Sequence, residues 1–220
     1  MSKLYTDAHR RLQDEFDTRR MADRIEEVGA ADTVDDEQKA FIESRDMFFL
    51  ATVDANGAPT VSYKGGDPGF VRVANENTLM FPSFDGNGMF LSMGNIESSA
   101  RVGMLFIDFE TPHRLRVQGS ASLSRDPDLR ASFVEADFVV RVTVESIFQN
   151  CPRYIHRYQK VDPSRYVPRE ACETPLAGWK RIDIIQDVLP ERDAQQVAAA
   201  GGAIPIEEWA EKVKSGDPDA

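Results

Sequence analysis

The residues best placed to do chemistry in this chain are basic and small polar groups at the ends of strand-like runs. Ser62-Tyr63-Lys64-Gly65-Gly66 closes one such run. The lysine supplies charge, and two glycines let backbone amides approach a ligand closely. The same residues also describe an ordinary lysine beside a glycine turn. A second group spans residues 83–95. Ser83, Asp85, Gly86 and Asn87 form a turn-like cluster, and Ser92-Met93-Gly94-Asn95 adds a hydroxyl and an amide around a glycine. Such groups satisfy several phosphate or carbonyl oxygens. They also suit a loop that caps a following helix through Asn95 or Ser98. In His113-Arg114-Leu115-Arg116 the period of two puts Arg114 and Arg116 on one strand face. Two arginines there bind phosphate through paired donors, or pair with this chain's carboxylates. The common chemistry is the holding of an anion or polar cofactor. No side chain stands out as a general acid or base, so the catalytic residues are unknown.

Composition removes several classes. The chain has 220 residues, 41% hydrophobic and 29% charged, with a net charge of −11. That size supports one well-buried core. The acidic balance repels phosphate backbones and anionic lipid, so neither nucleic acid nor a membrane surface is an expected partner. No apolar run approaches the roughly 18 residues that span a bilayer. The amino-terminal residues are charged and lack a secretory apolar segment. Cys151 and Cys172 form neither a disulfide framework nor a CxxC pair. His9, His113 and His156 are far apart and lack a ligand pattern, so no metal site is expected. A cytoplasmic protein is expected.

The elements that must position these groups follow from periodicity. Residues 1–28 read as one helix, with Leu4, Ala8, Leu12, Phe16, Met21, Ile25 and Val28 recurring and no Gly or Pro before Gly29. A second helix runs over 35–44, capped by Asp35 or Asp36 and anchored by Ala40, Phe41 and Ile42. From Met47 the period changes. MFFLATV, a turn at Asn56-Gly57 and a strand from Pro59 to Lys64 read as a hairpin. Strands follow at 70–73, 78–82, 102–109, 115–123 and 138–148, with a short helix over 127–136. Six or seven antiparallel strands at short intervals predict a mainly β fold, a closed or nearly closed barrel with flanking helices. Residues 1–36 form a helical segment, 37–160 the barrel, and 161–220 an irregular extension. That extension ends in a helix over 206–214 and a frayed SGDPDA.

These pieces in this order resemble the pyridoxamine 5′-phosphate oxidase-related flavin-binding proteins with the split β-barrel fold. The residues that carry the resemblance are FFLATVDANGAPTVSYKGG (48–66), FPSFDGNGMFLSMGNIESSARVGMLFIDF (81–109), HRLRVQGSA (113–121) and FQNCPRYIH (148–156). It implies a homodimer with FMN in clefts at the subunit interface, acting on a small-molecule substrate. By position, Ser62, Tyr63, Lys64 and Gly65 would lie along the flavin. Ser83, Asp85, Gly86, Asn87, Ser92 and Asn95 would surround its phosphate and ribityl chain. Arg114 would face the isoalloxazine ring, with Arg116 on the same face. The resemblance implies an FMN-dependent oxidoreductase, or else a protein that binds flavin, deazaflavin or haem without turnover. Two departures point away from pyridoxamine phosphate as substrate. The basic pair that the classical oxidase carries after its F-Y-T-N strand is absent from residues 85–89, leaving Lys64, Arg114 or Arg101 to supply charge. The oxidase's Arg-Leu-x-Pro ending is absent too.

Overall fold

The computed structural model describes residues 2 and 4–217. The last three residues of the SGDPDA stretch, read as frayed, lie outside the described residues. Contacts divide the chain between Pro163 and Ser164 into two compact units.

The first unit is built on one antiparallel sheet. Its strands are β1 (Ala30–Ala31), β2 (Met47–Val53), β3 (Pro59–Gly65), β4 (Arg72–Asn75), β5 (Thr78–Ser83), β6 (Arg101–Asp108), β7 (His113–Ser124) and β8 (Phe138–Asn150). They pair in the order β3-β2-β6-β7-β8-β5-β4, and β1 joins the β8 edge beyond β5. The fold is the mainly β split barrel that the sequence predicts, but the sheet is not closed, because β3 and β4 end the path without pairing. The curl still brings distant strands together. Phe48 on β2 meets Phe81 on β5 at 5.0 Å and Phe106 on β6 at 5.2 Å between ring centroids, and all three are fully buried. Strict alternation produces this core. In β2, Phe48, Leu50 and Thr52 face inward, while Met47, Phe49, Ala51 and Val53 face out.

The β2–β3 hairpin turns where Asn56-Gly57 predicts it. Gly57 takes φ 87°, and Asp54 Oδ1 accepts from the Asn56 and Ala58 amides at 2.8 Å. Helix α3 (Asp36–Glu43) starts at a reciprocal cap. Asp35 Oδ1 accepts from Gln38 N at 2.7 Å, and Gln38 Oε1 accepts from Asp35 N at 3.1 Å. Asp35→Ala leaves the Gln38 amide to water and is expected to cost about 1 kcal/mol of stability, readable as a lower denaturation midpoint at constant slope. Ile42 anchors α3 in the core, whereas Ala40 is exposed, contrary to expectation.

The single helix expected over 1–28 is two helices, α1 (Asp7–Glu15) and α2 (Arg19–Gly29). The break falls at Asp17, which takes φ 52° although no Gly or Pro is present. An unbroken helix of that length would extend about 42 Å. Asp is among the side chains that tolerate the left-handed turn, and Arg19 folds back to hydrogen-bond Asp14 Oδ2 at 2.6 Å. The apolar positions Leu12, Phe16, Met21, Ile25 and Val28 stay more than half exposed.

Three further expectations shift. The helix over 127–136 shortens to α5 (Pro127–Ala131), because Phe133 turns into a small apolar cluster and Glu135 takes φ 54°. The strand ending at 148 continues to Asn150. Asn95 and Ser98 cap nothing. They lie inside α4 (Leu91–Ser99), whose N-cap is Phe90 at φ 49° with no side-chain bond.

The second unit contains short 3₁₀ segments at Gly178–Arg181 and Asp183–Val188, then α6 (Glu191–Ala199) and α7 (Ile206–Ser215). Helix α7 carries Glu207 and Glu208 in its first turn and Lys212 and Lys214 in its last, as its dipole favours. A buried ion pair, Lys180 Nζ to Asp193 Oδ2 at 2.9 Å, ties the first 3₁₀ segment to α6.

Candidate functional site

The inner face of the edge strand β3 carries the first group. Ser62 and Lys64 are register partners of the buried Leu50 and Phe48, so both point inward. Helix α4 lies across this end of the sheet, held by a polar cluster. Ser62 Oγ and Ser92 Oγ are 3.1 Å apart. Asn95 Nδ2 donates to Thr52 Oγ1 at 3.0 Å and Thr60 Oγ1 at 3.3 Å, and those two hydroxyls are 2.9 Å apart. Thr52 and Thr60 were not singled out from the sequence. Their cross-strand pairing follows from the hairpin register, but nothing in the sequence places Asn95 above them. Lys64 follows directly after this cluster along β3. Among the described residues it has no ion-pair or side-chain hydrogen-bond partner, and burial lowers its pKa below the ordinary lysine value. A desolvated ammonium without a counter-ion, one strand step from two hydroxyls and the first turn of a helix, suits an anion.

The glycine pair has another role than open backbone. A Cβ on Gly65 would lie 2.8 Å from the Tyr63 ring, and one on Gly66 would lie 2.3 Å from the Phe70 ring. Two aromatic rings fill the space, and the Gly66 amide donates to Asp46 O at 2.9 Å.

Tyr63, Arg114 and Arg116 lie on the opposite, outer face. Tyr63, Phe49, Leu105, Arg116 and Phe148 are successive register partners across five strands. Arg114 pairs with Ile107 and Asn150 in the same sense. Strand β7 is three places from β3, about 14 Å away. One chain therefore does not bring the arginines to Lys64. On this outer face Val61 is 69% and Tyr63 62% exposed. Arg114 Nε, Asn150 Oδ1 and Ser146 Oγ are buried there without hydrogen-bond partners. Arg114 is among the residues expected from the sequence, whereas Ser146 and Asn150 are not, since only the β7–β8 register brings them to this face.

Residues 34–166 match the sequence profile of the pyridoxamine 5′-phosphate oxidase family, well over half of the chain. The chain belongs to that family. No curated protein matches. Similar solved structures include HupZ of Group A Streptococcus, at 20% identity over 57% of this chain and 99% of that one, with a TM-score of 0.45. A putative pyridoxamine 5′-phosphate oxidase from Lactobacillus delbrueckii is 24% identical over 54% of this chain and 95% of its own, with a TM-score of 0.44. HutZ, a haem storage protein of Vibrio cholerae, is 21% identical over 53% and 94%, with a TM-score of 0.40.

In this family member the loop between β5 and α4 carries Asp85, Gly86 and Asn87, all exposed, while Ser83 ends β5 half-buried. Asn87 is engaged locally, its Oδ1 accepting from Met89 N at 3.1 Å. Of the three cations that could replace the missing basic pair, Arg101 is held by both oxygens of Glu145, at 2.9 and 2.8 Å. Lys64 and Arg114 remain. Among the histidines, His113 stacks on Phe41 at 4.4 Å and His9 Nδ1 accepts from Thr6 N at 3.0 Å. Cys151 and Cys172 are free and exposed. Among the described residues no helix is long and apolar enough to cross a membrane.

Proposed function

We propose that the protein is a homodimeric flavoprotein that binds FMN between two copies and acts as an oxidoreductase on a small molecule. The observation that carries this reading is Lys64, desolvated and unpaired beside Ser62, Ser92 and the first turn of α4. These groups fit the phosphate and the adjoining ribityl hydroxyls. The second group supports a dimer. Arg114 has a buried donor with no acceptor, yet it faces away from Lys64. A second copy packed on the outer face would cover Val61 and Tyr63 and set Arg114 of one copy against the flavin edge of the other.

When bound, FMN supplies the hydride chemistry. The chain's own residues bind and orient. Lys64 neutralises phosphate charge, Ser62 and Ser92 offer hydroxyls, and Arg114 presents positive charge toward the ring. Alignment of this kind is enough to lower the barrier without a protein acid or base.

The test is the visible spectrum, solution mass and released cofactor of the purified full chain. The expected result is a yellow dimer that releases FMN and is bleached by NADH or NADPH. A colourless protein that gains no flavin absorbance with added FMN would overturn the reading. Release of a deazaflavin or haem would replace FMN. A yellow dimer that reduced nicotinamide does not bleach, and that passes electrons to no acceptor, would make it a binding protein.

A further inference from the structure

The outer face of β7 and β8 holds a second feature that the flavin reading does not use. Where α1 and α2 fold back over the sheet they leave a cleft of about 340 Å³. Its walls are Tyr5 and Ile25 from the helical segment and Arg116, Gln118, Phe148 and Asn150 from the strands. The volume falls in the range of small-molecule sites, about 300–1,000 Å³.

Two of its polar side chains, Arg116 and Gln118, are exposed, and Asn150 is half-buried. Among the described residues, Arg116 makes no ion pair and no side-chain hydrogen bond. Gln118 and Asn150 likewise make no side-chain hydrogen bond, and Asn150 Oδ1 is buried without a partner. Leaving such a group unpaired costs about 1–3 kcal/mol, so a ligand that answers it gains that much. The remaining walls are the Tyr5 and Phe148 rings and the Ile25 and Leu4 side chains, with His9 and Gln149 at the polar margin. One unpaired guanidinium, one orphaned amide and an apolar floor describe a small ligand with three parts.

We infer that this cleft binds a small carboxylic acid with a planar or branched apolar body and a hydroxyl group. The carboxylate pairs with Arg116, whose planar fork matches it. The body lies between Phe148, Tyr5 and Ile25. The hydroxyl meets Asn150, and because it both donates and accepts it satisfies that amide in either orientation. A phosphate ester fits less well, since a single guanidinium leaves most of its oxygens without donors. The inference uses other side chains than the flavin reading. Its ligand is held by Arg116 and Asn150, whereas the flavin phosphate is assigned to Lys64 and the flavin edge to Arg114, the register partner of Asn150.

The test is calorimetric titration of 4-hydroxybenzoate into the purified full chain, stripped of flavin and again saturated with FMN. The expected result is saturable binding at one site per chain in both forms. Arg116→Gln is expected to weaken it about 10- to 100-fold, as removal of a charged hydrogen bond does. Ile25→Trp, at a position 53% exposed, is expected to fill the cleft and abolish binding while the melting temperature stays unchanged. The neutral 4-hydroxybenzyl alcohol should lose the Arg116-dependent part, and benzoate the Asn150-dependent part. Binding that survives both Arg116→Gln and Ile25→Trp would overturn the inference. So would the absence of saturable binding of 4-hydroxybenzoate, 4-hydroxyphenylacetate and 2-hydroxyisocaproate alike, which would mean that the cleft holds water only. Failure of the flavin reading looks different: FMN does not bind, and the acid still does.

Discussion

Lys64→Met is expected to weaken FMN binding about 10- to 100-fold while leaving riboflavin binding unchanged. The magnitude is that of one hydrogen bond to a charged group, about 1.5–3 kcal/mol. Methionine keeps the apolar stem that lies against the barrel edge and removes only the ammonium. Riboflavin lacks the phosphate, so comparing the two ligands isolates the charge. The pH dependence gives a second readout. Burial lowers the pKa of Lys64 in the free protein, and phosphate binding favours its protonated form. FMN affinity of the parent should therefore fall as pH rises through that lowered value, below the ordinary lysine range. The variant should not show this fall. Stability moves the other way. The unfolded chain holds the proton more tightly than the folded one, so the parent gains stability as pH rises from the folded to the unfolded pKa. Lys64→Met removes that dependence and should be no less stable at neutral pH. Equal FMN affinity in parent and variant, measured by fluorescence quenching, would remove Lys64 from the site.

The site was legible where it depends on local pattern and illegible where it depends on which face meets which. The hairpin around Asn56-Gly57 and the strands β2 to β8 follow from alternation and turn chemistry, and so did the split barrel. Period two also put Arg114 and Arg116 together correctly. It could not say that they face away from Lys64, because that depends on the order β3-β2-β6-β7, which non-local pairing sets. Their Gly-rich setting makes Ser92 and Asn95 look like loop groups, yet they sit inside α4. Burial of Met93 and Ile96 against the barrel overrides the weak helix propensity of Ser, Gly and Asn. The helix break at Asp17 has the same origin. Folding back onto the sheet selects a turn that the apolar period alone does not reveal.

Gly119→Ala is expected to destabilise the barrel by about 3 kcal/mol, the upper end of the usual cost of overpacking. The glycine closes the R-x-R-V-x-G pattern, and the structure shows why it is needed. Its φ is not in the left-handed region, so backbone freedom is not the reason. Space is. A Cβ there would lie 2.0 Å from the Thr143 carbonyl oxygen and 3.0 Å from its carbon, and backbone cannot swing aside as a side chain can. The contact sits at a β-bulge. Gln118 pairs with Ser146 and Gly119 with Val144, which leaves Glu145 as the extra residue. That extra residue sets which way the end of β8 faces. Before it, Val142 and Val144 point into the core. After it, Ile147 is buried inside, while Ser146, Phe148 and Asn150 turn to the outer face. The cleft residues Phe148 and Asn150 thus owe their position to the bulge, and the bulge to the missing Cβ. Gly103→Ala is the control, since its Cβ would meet only Ala51 Cβ at an ordinary 3.7 Å. By thermal melting, Gly119→Ala should fall about 6–12 °C, and Gly103→Ala should stay close to the parent. Equal melting of the two variants would show that β7 and β8 can separate at the bulge without cost. The close approach would then not be what fixes the register.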